Sequence, residues 1–503
     1  MFESKQGKQA KKADRAKKKA TTARRPTFRG WQQPAGGAAG VIAPAPEWRG
    51  TTVQVCGMWP FIAGTSTPMV GVPLGHHLMS VATVCSDPIS WFARAGLIAN
   101  PSLMVLGRPG LGKSTLIRRM AIGLAAFGTD PLVFGDLKPD YRALVESLGG
   151  AVIQLGRGRG HLNVLDPGAA VKTADRLTGT ARAELIAEAH GRRLTMLAAL
   201  VTLNRGGRVS DHEEAILSAA LDVIDEHHRP GEATLHDLIA VLEEGPSRVR
   251  QVTLDRGDED RYRTAVDPLH RSLAALAQGS LGEVFARPTT TRIDLSGPVC
   301  IDISGISESD EKLQAAALLA CWGEGFASIA ALQALTDAGL EPQHNFVVIL
   351  DELWRVLRSG SGIISRIDAL TRLDRNTGVG TVIITHTLKD LLSVSAEDRP
   401  KAQGFAERMG YYAFCGLPTA ELAGVTQVVS LSRREAEMVT SWSTPEVWDV
   451  VTGQRSDPPG LGKVLLKVGG RPGIPVQVRL TEIERDVNNT NLRWVASAPQ
   501  RTS

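Results

Sequence analysis

Gly107-Arg108-Pro109-Gly110-Leu111-Gly112-Lys113-Ser114 satisfies the pattern GxxxxGK[ST] at every defined position, with an apolar run before it and a helical pattern after it. Glycines at these spacings let successive backbone N–H groups turn inward around a phosphate, where a Cβ would obstruct the approach. The helix N-terminus that follows adds unpaired donors and a partial positive charge. In that setting Lys113 reaches the terminal phosphate oxygens, the Ser114 hydroxyl ligates magnesium, and Thr115 joins the residues around the phosphates. A merely structural glycine-rich turn is the alternative, and the flanking strand and helix weigh against it.

Phe346-Val347-Val348-Ile349-Leu350-Asp351-Glu352 is an apolar run closing on two carboxylates. At the end of a buried strand, Asp351 would hold magnesium, mainly through its water shell, because Mg²⁺ sheds hydration reluctantly. Glu352 would polarise a water attacking the terminal phosphate, a group that a protein which only binds nucleotide does not need. The run Val299–Ser304 carries a single carboxylate, Asp302, and reads as a neighbouring strand. A further strand ends in Thr385 and His386, which could sense the terminal phosphate or orient water, since strand C-termini of an open parallel sheet face one crevice. His386 as a plain polar residue at a helix start is the competing reading. Upstream, Arg372 and Arg375 end one helix and enter that strand. They suit an arginine finger reaching a neighbouring subunit's nucleotide, or equally a solvated basic helix end.

Pro459-Gly460-Leu461-Gly462-Lys463 repeats the letters of Pro109–Lys113. Asp457 stands where the first glycine belongs and Val464 replaces the hydroxyl residue, so this copy reads as a turn ahead of a hairpin.

These groups need a scaffold, and the hydrophobic periodicity supplies an α/β fold. Strands at Leu103–Leu106, Leu132–Phe134, Ala151–Leu155, Val299–Ile303, Phe346–Leu350, Thr381–Thr385 and Tyr411–Cys415 alternate with helices at Lys113–Phe127, Tyr141–Leu148, Asp310–Leu335 and Ile363–Arg372. That alternation predicts a parallel sheet covered on both faces. Between residues 170 and 289 the pattern is helical throughout (Ala181–Leu203, Asp211–His227, Leu235–Glu244, Arg261–Gln278), which predicts an all-α insertion. Val464–Val468 and Val476–Leu480 flank a Gly/Pro-rich loop and predict a C-terminal β-hairpin. The expected organisation is a basic arm at 1–45, a small strand-rich region at 46–100, a core from 101–169 and 290–450, the insertion at 170–289, and the hairpin and tail at 451–503.

Charge is unevenly spread over the 503 residues. The first 30 carry eleven Lys/Arg against Glu3 and Asp14, whereas the whole chain is only +4, leaving the remainder mildly acidic. The body therefore offers no global basic field for nucleic acid. The arm is too poor in large apolar residues to offset its ordering entropy and is expected to be disordered, either as a solubilising tail or as a contact for DNA or anionic lipid. It lacks the apolar core of a secretory signal, and no uninterrupted apolar run reaches membrane-spanning length. Five scattered cysteines without CxxC spacing suit reduced core thiols.

With these residues in view, the chain resembles the conjugation and type IV secretion ATPases of the FtsK–HerA motor superfamily, over roughly Pro73 to Leu480. The resemblance rests on Asp136-Leu137-Lys138-Pro139-Asp140-Tyr141 followed by Leu148-Gly149-Gly150. It rests also on His161-Leu162-Asn163-Val164-Leu165-Asp166-Pro167 before the insertion, on the wide gap between the two nucleotide motifs, and on the Arg-bearing helix leading to Thr385. Two features depart from the family: His386 stands where it usually has Gln, and most of its N-terminal channel-docking domain has no counterpart. The resemblance implies a P-loop NTPase of RecA-like fold that hydrolyses ATP with Mg²⁺. It further implies a homo-hexameric, cytoplasm-facing motor at the inner face of the membrane, working with secretion-channel proteins to export DNA or protein. A DNA translocase acting on chromosomal or plasmid DNA is the nearest alternative, and a non-hydrolysing nucleotide-bound scaffold is a third that Glu352 disfavours.

Overall fold

A computed structural model describes residues 67–352, 355, 378–392, 398–445, 448–449, 454–455 and 457–487, all within one unit spanning Thr65–Ser503. The expected arm at 1–45 and Arg372 and Arg375 lie outside the described residues.

In chain order the strands are β1 (Pro73–His77), β2 (Thr83–Cys85), β3 (Ser102–Gly107), β4 (Thr129–Asp136), β5 (Ala151–Gln154), β6 (Val299–Asp302), β7 (Asn345–Leu350), β8 (Val379–Thr385), β9 (Tyr411–Cys415), β10 (Trp448–Asp449), β11 (Gln454–Arg455), β12 (Lys463–Lys467) and β13 (Ile474–Val478). All but the short β10–β11 pair form one eleven-stranded sheet, in the order β2-β1-β13-β12-β9-β3-β8-β7-β4-β6-β5. From β9 to β5 every neighbouring pair is parallel. From β2 to β9 every pair is antiparallel. The C-terminal hairpin β12–β13 thus extends the core sheet, bridging β9 to β1 from the other end of the described chain.

Both faces of the parallel part are covered, as its continuous apolar runs require. Side chains alternate between them with the period of two that a pleated strand imposes. Leu103, Val105, Val347, Ile349, Val382 and Ile384 point to one side, where they meet α1 (Pro88–Ala93) and α2 (Lys113–Ala126) through Trp91, Leu116, Ile117 and Met120. Met104, Leu106, Val348, Leu350 and Ile383 point to the other, into the larger core. A short α3 (Arg142–Ser147) precedes β5. Helices α4 (Ala169–Ala174), α5 (Gly179–Arg205), α6 (Asp211–His227), α7 (Leu235–Glu244), α8 (Ser247–Thr253), α9 (Glu259–Gln278) and α10 (Gly282–Phe285) fill the segment between β5 and β6. That segment holds no named strand.

The insertion's helices are punctuated by their own termini. Ser210 and Glu213 close a capping box at the start of α6, and Thr234 and Asp237 another at α7. Gly245 ends α7 in a left-handed conformation at φ +64. Two side chains that carried the family resemblance anchor the insertion's start: the Asn163 amide donates to the Ala233 carbonyl (2.7 Å), and Asp166 pairs with Arg292 (3.2 Å). The long helix α11 (Glu311–Asp337) then runs across the sheet, its Trp322 indole N–H donating to the Phe134 carbonyl of β4 (2.7 Å). Among the described residues α11 alone is long and apolar enough to cross a membrane, but 72% of its most apolar stretch is buried inside this fold. Helices α12 (Leu388–Leu392), α13 (Arg399–Glu407), α14 (Thr419–Val428) and α15 (Arg433–Ser441) flank β9. Cys85, Cys300, Cys321 and Cys415 are buried free thiols.

Candidate active site

The phosphate-loop residues lie between β3 and α2. Gly107 ends β3 so close to β9 that a Cβ would sit 2.5 Å from the Cys415 carbonyl oxygen, so the glycine is demanded by strand spacing. Gly110 and Gly112 take φ of +80 and +96, a region costly for residues with a Cβ, and a Cβ at Gly110 would meet no protein atom within 4 Å. No side chain caps the N-terminus of α2, so its first N–H groups remain for a ligand.

β8 lies between β3 and β7, so the strand bearing the two carboxylates is one strand removed from the loop. Their C-terminal ends nevertheless open onto one cleft of about 410 Å³. Lys113, Ser114, Thr115, Asp351, Glu352 and His386 all line it, with Pro109, Gly110 and Gly112. Lys113 is 7% exposed, and its ammonium donates to the carbonyls of Gly107 (2.7 Å) and Arg108 (3.2 Å). His386 bridges the two motifs: its Nδ1 lies 3.2 Å from Lys113 Nζ and its Nε2 3.5 Å from Glu352 Oε1.

Strand alternation explains how both acids reach the cleft. Val347, Ile349 and then Asp351 fall on the α2 side, so an extended continuation would send Glu352 to the opposite face. Glu352 instead adopts φ +57, one of four non-glycine residues with positive φ among those described. There its carboxylate, 7% exposed as a residue, lies 3.6 Å from Lys138 Nζ and 3.8 Å from Arg355 Nε. Asp351 accepts the Glu352 backbone N–H (2.8 Å) and the Tyr141 hydroxyl (3.3 Å). Burial, then the neighbouring Glu352 charge, pushes the Asp351 carboxyl up to about 6. Burial likewise draws the Lys113 ammonium below its usual range.

The same alternation turns Thr385 away. Ile384 and His386 line the cleft, whereas Thr385 does not; it is buried, with its hydroxyl 3.4 Å from the Thr387 carbonyl. Within the loop, Arg108 reaches across to the Ser443 carbonyl (2.9 Å) and Leu111 packs into the core.

Several cleft residues lie outside the two nucleotide motifs, three of them (Asp136, Lys138 and Asp140) in the segment that carried the family resemblance. Arg118 follows Ser114 by four positions and so shares its helix face. It is 3% exposed, donates to the Asp140 carbonyl (3.0 Å), and keeps its buried Nε without a hydrogen-bond partner. Asp136, Lys138 and Asp140 arrive from the end of β4 and the loop beyond it. Burial raises the Asp140 carboxyl, offset in part by Arg118, Lys138 and Ser114 nearby, and Asp136 accepts the backbone N–H groups of Tyr141 (2.8 Å) and Asp140 (3.2 Å). Burial raises Asp136 to about 7 against those bonds. Helical spacing from Ser114 is the signal that would have found Arg118. Leu461 also lines the cleft, and no local pattern predicts it.

These groups fit a magnesium–triphosphate. The oxygen donors Ser114 and Asp351 are hard ligands of the kind Mg²⁺ takes, and the carboxyls of Asp351, Asp136 and Asp140 are raised by burial first and by neighbouring carboxylate charge after it, which a cation would offset. Lys113, Arg118 and its unpaired Nε, and Lys138 supply positive charge along the same walls.

No protein-family model matches the chain. No curated protein matches it either. Solved structures do. The structure of VirB4 of Thermoanaerobacter pseudethanolicus superposes with a TM-score of 0.61 at 18% identity, covering 84% of this chain and 100% of that one. The bacterial conjugative coupling protein TrwB, in an unbound form, aligns with a TM-score of 0.47 at 14% identity over 83% of this chain and 90% of its own. TrwB with ADP and Mg²⁺ aligns with a TM-score of 0.46 over 76% of this chain. The chain therefore has the VirB4 fold, and the α/β class expected from its sequence holds: a parallel core sheet with a helical insertion and a C-terminal hairpin.

Proposed function

We propose that the chain is an ATP-hydrolysing motor that energises DNA or protein transfer through a conjugation or type IV secretion apparatus. The observation that supports this best is the meeting of Lys113, Ser114, Asp351 and Glu352 in one cleft of a VirB4-like fold. Lys113 leaves its loop carbonyls to hold the β- and γ-phosphates, and the backbone N–H groups from Gly110 to Thr115 cradle them. Ser114 and Asp351 hold magnesium, which when bound draws charge from the phosphate oxygens. Glu352 orients the attacking water and takes its proton. His386, placed between Lys113 and Glu352, registers the arrival of the terminal phosphate by losing its contact with Lys113.

The working form is a homo-hexamer at the inner face of the membrane, partnered by secretion-channel proteins. In it Arg372 or Arg375 reaches a neighbour's nucleotide.

Two variants test the chemistry. Lys113→Ala removes the cation that grips the phosphates and is expected to lower Mg·ATP affinity at least about a hundredfold. Glu352→Gln keeps binding but cannot accept the proton, so turnover falls by about 10²–10⁴. Wild-type turnover in Glu352→Gln, read by phosphate release, would remove the catalytic assignment.

A further inference from the structure

The segment Pro459–Lys463, which repeats the letters of the phosphate loop, folds as a turn laid against that loop. The Gly462 N–H donates to the Leu111 carbonyl (3.2 Å). On its other side the turn is tied to β13: the Val478 N–H donates to the Gly462 carbonyl (2.8 Å), and the Gln477 amide donates to the Leu461 carbonyl (3.3 Å). Gly460 packs so tightly on Trp442 that a Cβ would lie 2.1 Å from the Trp442 carbonyl oxygen. Gly462, at φ +68, brings the chain within reach of Gly112: a Cβ built there would have the Gly462 N and Cα at 3.6 and 3.7 Å, and Thr115 Cβ at 4.0 Å.

Between these glycines stands Leu461. It is 42% exposed and lines the same cleft as Lys113, Ser114 and Asp351. A leucine on a surface is ordinary. This one is held by backbone bonds at the rim of a charged cleft, beside Gly112 and Thr115. Lys113, Asp351 and Glu352 mark the end of the cleft that takes terminal phosphates, and the turn lies in the same cleft on the Gly112–Thr115 side of the loop.

We propose that Leu461 is the platform on which the nucleoside of a bound triphosphate rests, the flat apolar face of its base against the isobutyl group. This rests on the reading of the cleft as a triphosphate site. An isobutyl group offers no hydrogen bond, so it distinguishes a nucleoside triphosphate from inorganic triphosphate by burying apolar surface.

The test compares Kd for Mg·ATP and Mg·tripolyphosphate by calorimetry in wild type, Leu461→Ala and Leu461→Met. Leu461→Ala is expected to weaken ATP about tenfold while tripolyphosphate stays within about twofold, and Leu461→Met, which keeps the apolar face, to restore ATP binding. Equal weakening of both ligands would mean that the turn only props the phosphate loop, which overturns the proposal. Unchanged ATP binding in Leu461→Ala overturns it too, and leaves the triphosphate reading standing. Wild-type protein that binds neither ligand overturns the triphosphate reading and this one together.

Discussion

Glu352 holds a backbone conformation that its residue type resists. A left-handed φ brings Cβ against the following carbonyl and costs roughly 1–2 kcal/mol for a non-glycine residue. The conformation is what admits both Asp351 and Glu352 to one cleft, so strain and function sit on the same residue. Glu352→Gly and Glu352→Ala lose the same ion pairs and the same carboxylate, but only glycine relieves the backbone. Both variants are expected to be inactive, and Glu352→Gly to be the more stable of the two by about 1 kcal/mol in denaturant unfolding. That ordering opposes the usual advantage of alanine over glycine. Alanine proving equal or better would show that φ at this position is not strained.

Between elements, a buried ion pair ties α15 to the C-terminal hairpin. Lys467 of β12 lies 2.9 Å from Glu435, and the Gly473 N–H of the hairpin loop donates to the same carboxylate. Burial alone would raise Glu435, but the Ser432 N–H, Lys467 and the Gly473 N–H outweigh it and hold the carboxyl below its usual 4.5. A depressed folded value stabilises the protein above the unfolded pKa and ceases to do so as pH falls through the folded one. Glu435→Gln leaves Lys467 buried without its countercharge and is expected to cost about 3 kcal/mol at pH 7. The gap from wild type should narrow as pH drops below 4.5, where the unfolded chain begins to take up the proton, and close as pH falls through the lower folded value. A gap independent of pH would assign the loss to packing. The core strands and the longer helices of the insertion were legible in the sequence, whereas the short helices α1, α4, α8, α10 and α12–α15 carry too few turns for a periodicity to show, and the expected helix Ile363–Arg372 lies outside the described residues. The ends of α6 and α7 could be read to the residue because capping boxes and Gly245 announce them locally, and the core strands stand out as apolar runs. Their placement was not legible. Insertion of β8 between β3 and β7, pairing of β1 with β13, and the seat of Leu461 beside Gly112 join residues far apart in sequence, where no local pattern specifies a partner. Strand alternation was available for Thr385 and does separate it from His386; reading the pair as one polar strand end overlooked that period of two.

At the scale of the whole molecule, the described cleft supplies positive charge only from its own side: Lys113 and Arg118 on α2, and Lys138 beyond β4. The triphosphate transition state spreads charge over the equatorial oxygens, and ring motors complete its neutralisation with an arginine from the next subunit. Arg372 and Arg375 precede β8 in sequence and are the candidates. Subunit mixing separates action in trans from action in cis. A Lys113→Ala subunit has a dead cleft but intact arginines; a doubly substituted Arg372→Ala, Arg375→Ala subunit has an intact cleft and nothing to donate. Each homo-oligomer is expected to be inactive. In a mixed ring, wherever a Lys113→Ala subunit presents its arginines to an intact cleft, one competent site forms. Randomly assembled equimolar rings should therefore recover roughly a quarter of wild-type turnover, the chance that a given interface pairs the two types in the productive order. Recovery should peak near equal proportions and vanish at either end of the titration. If mixing yields no turnover although light scattering shows that mixed rings assemble, the arginines act within their own subunit; an active doubly substituted homo-oligomer would mean that they do not act at all.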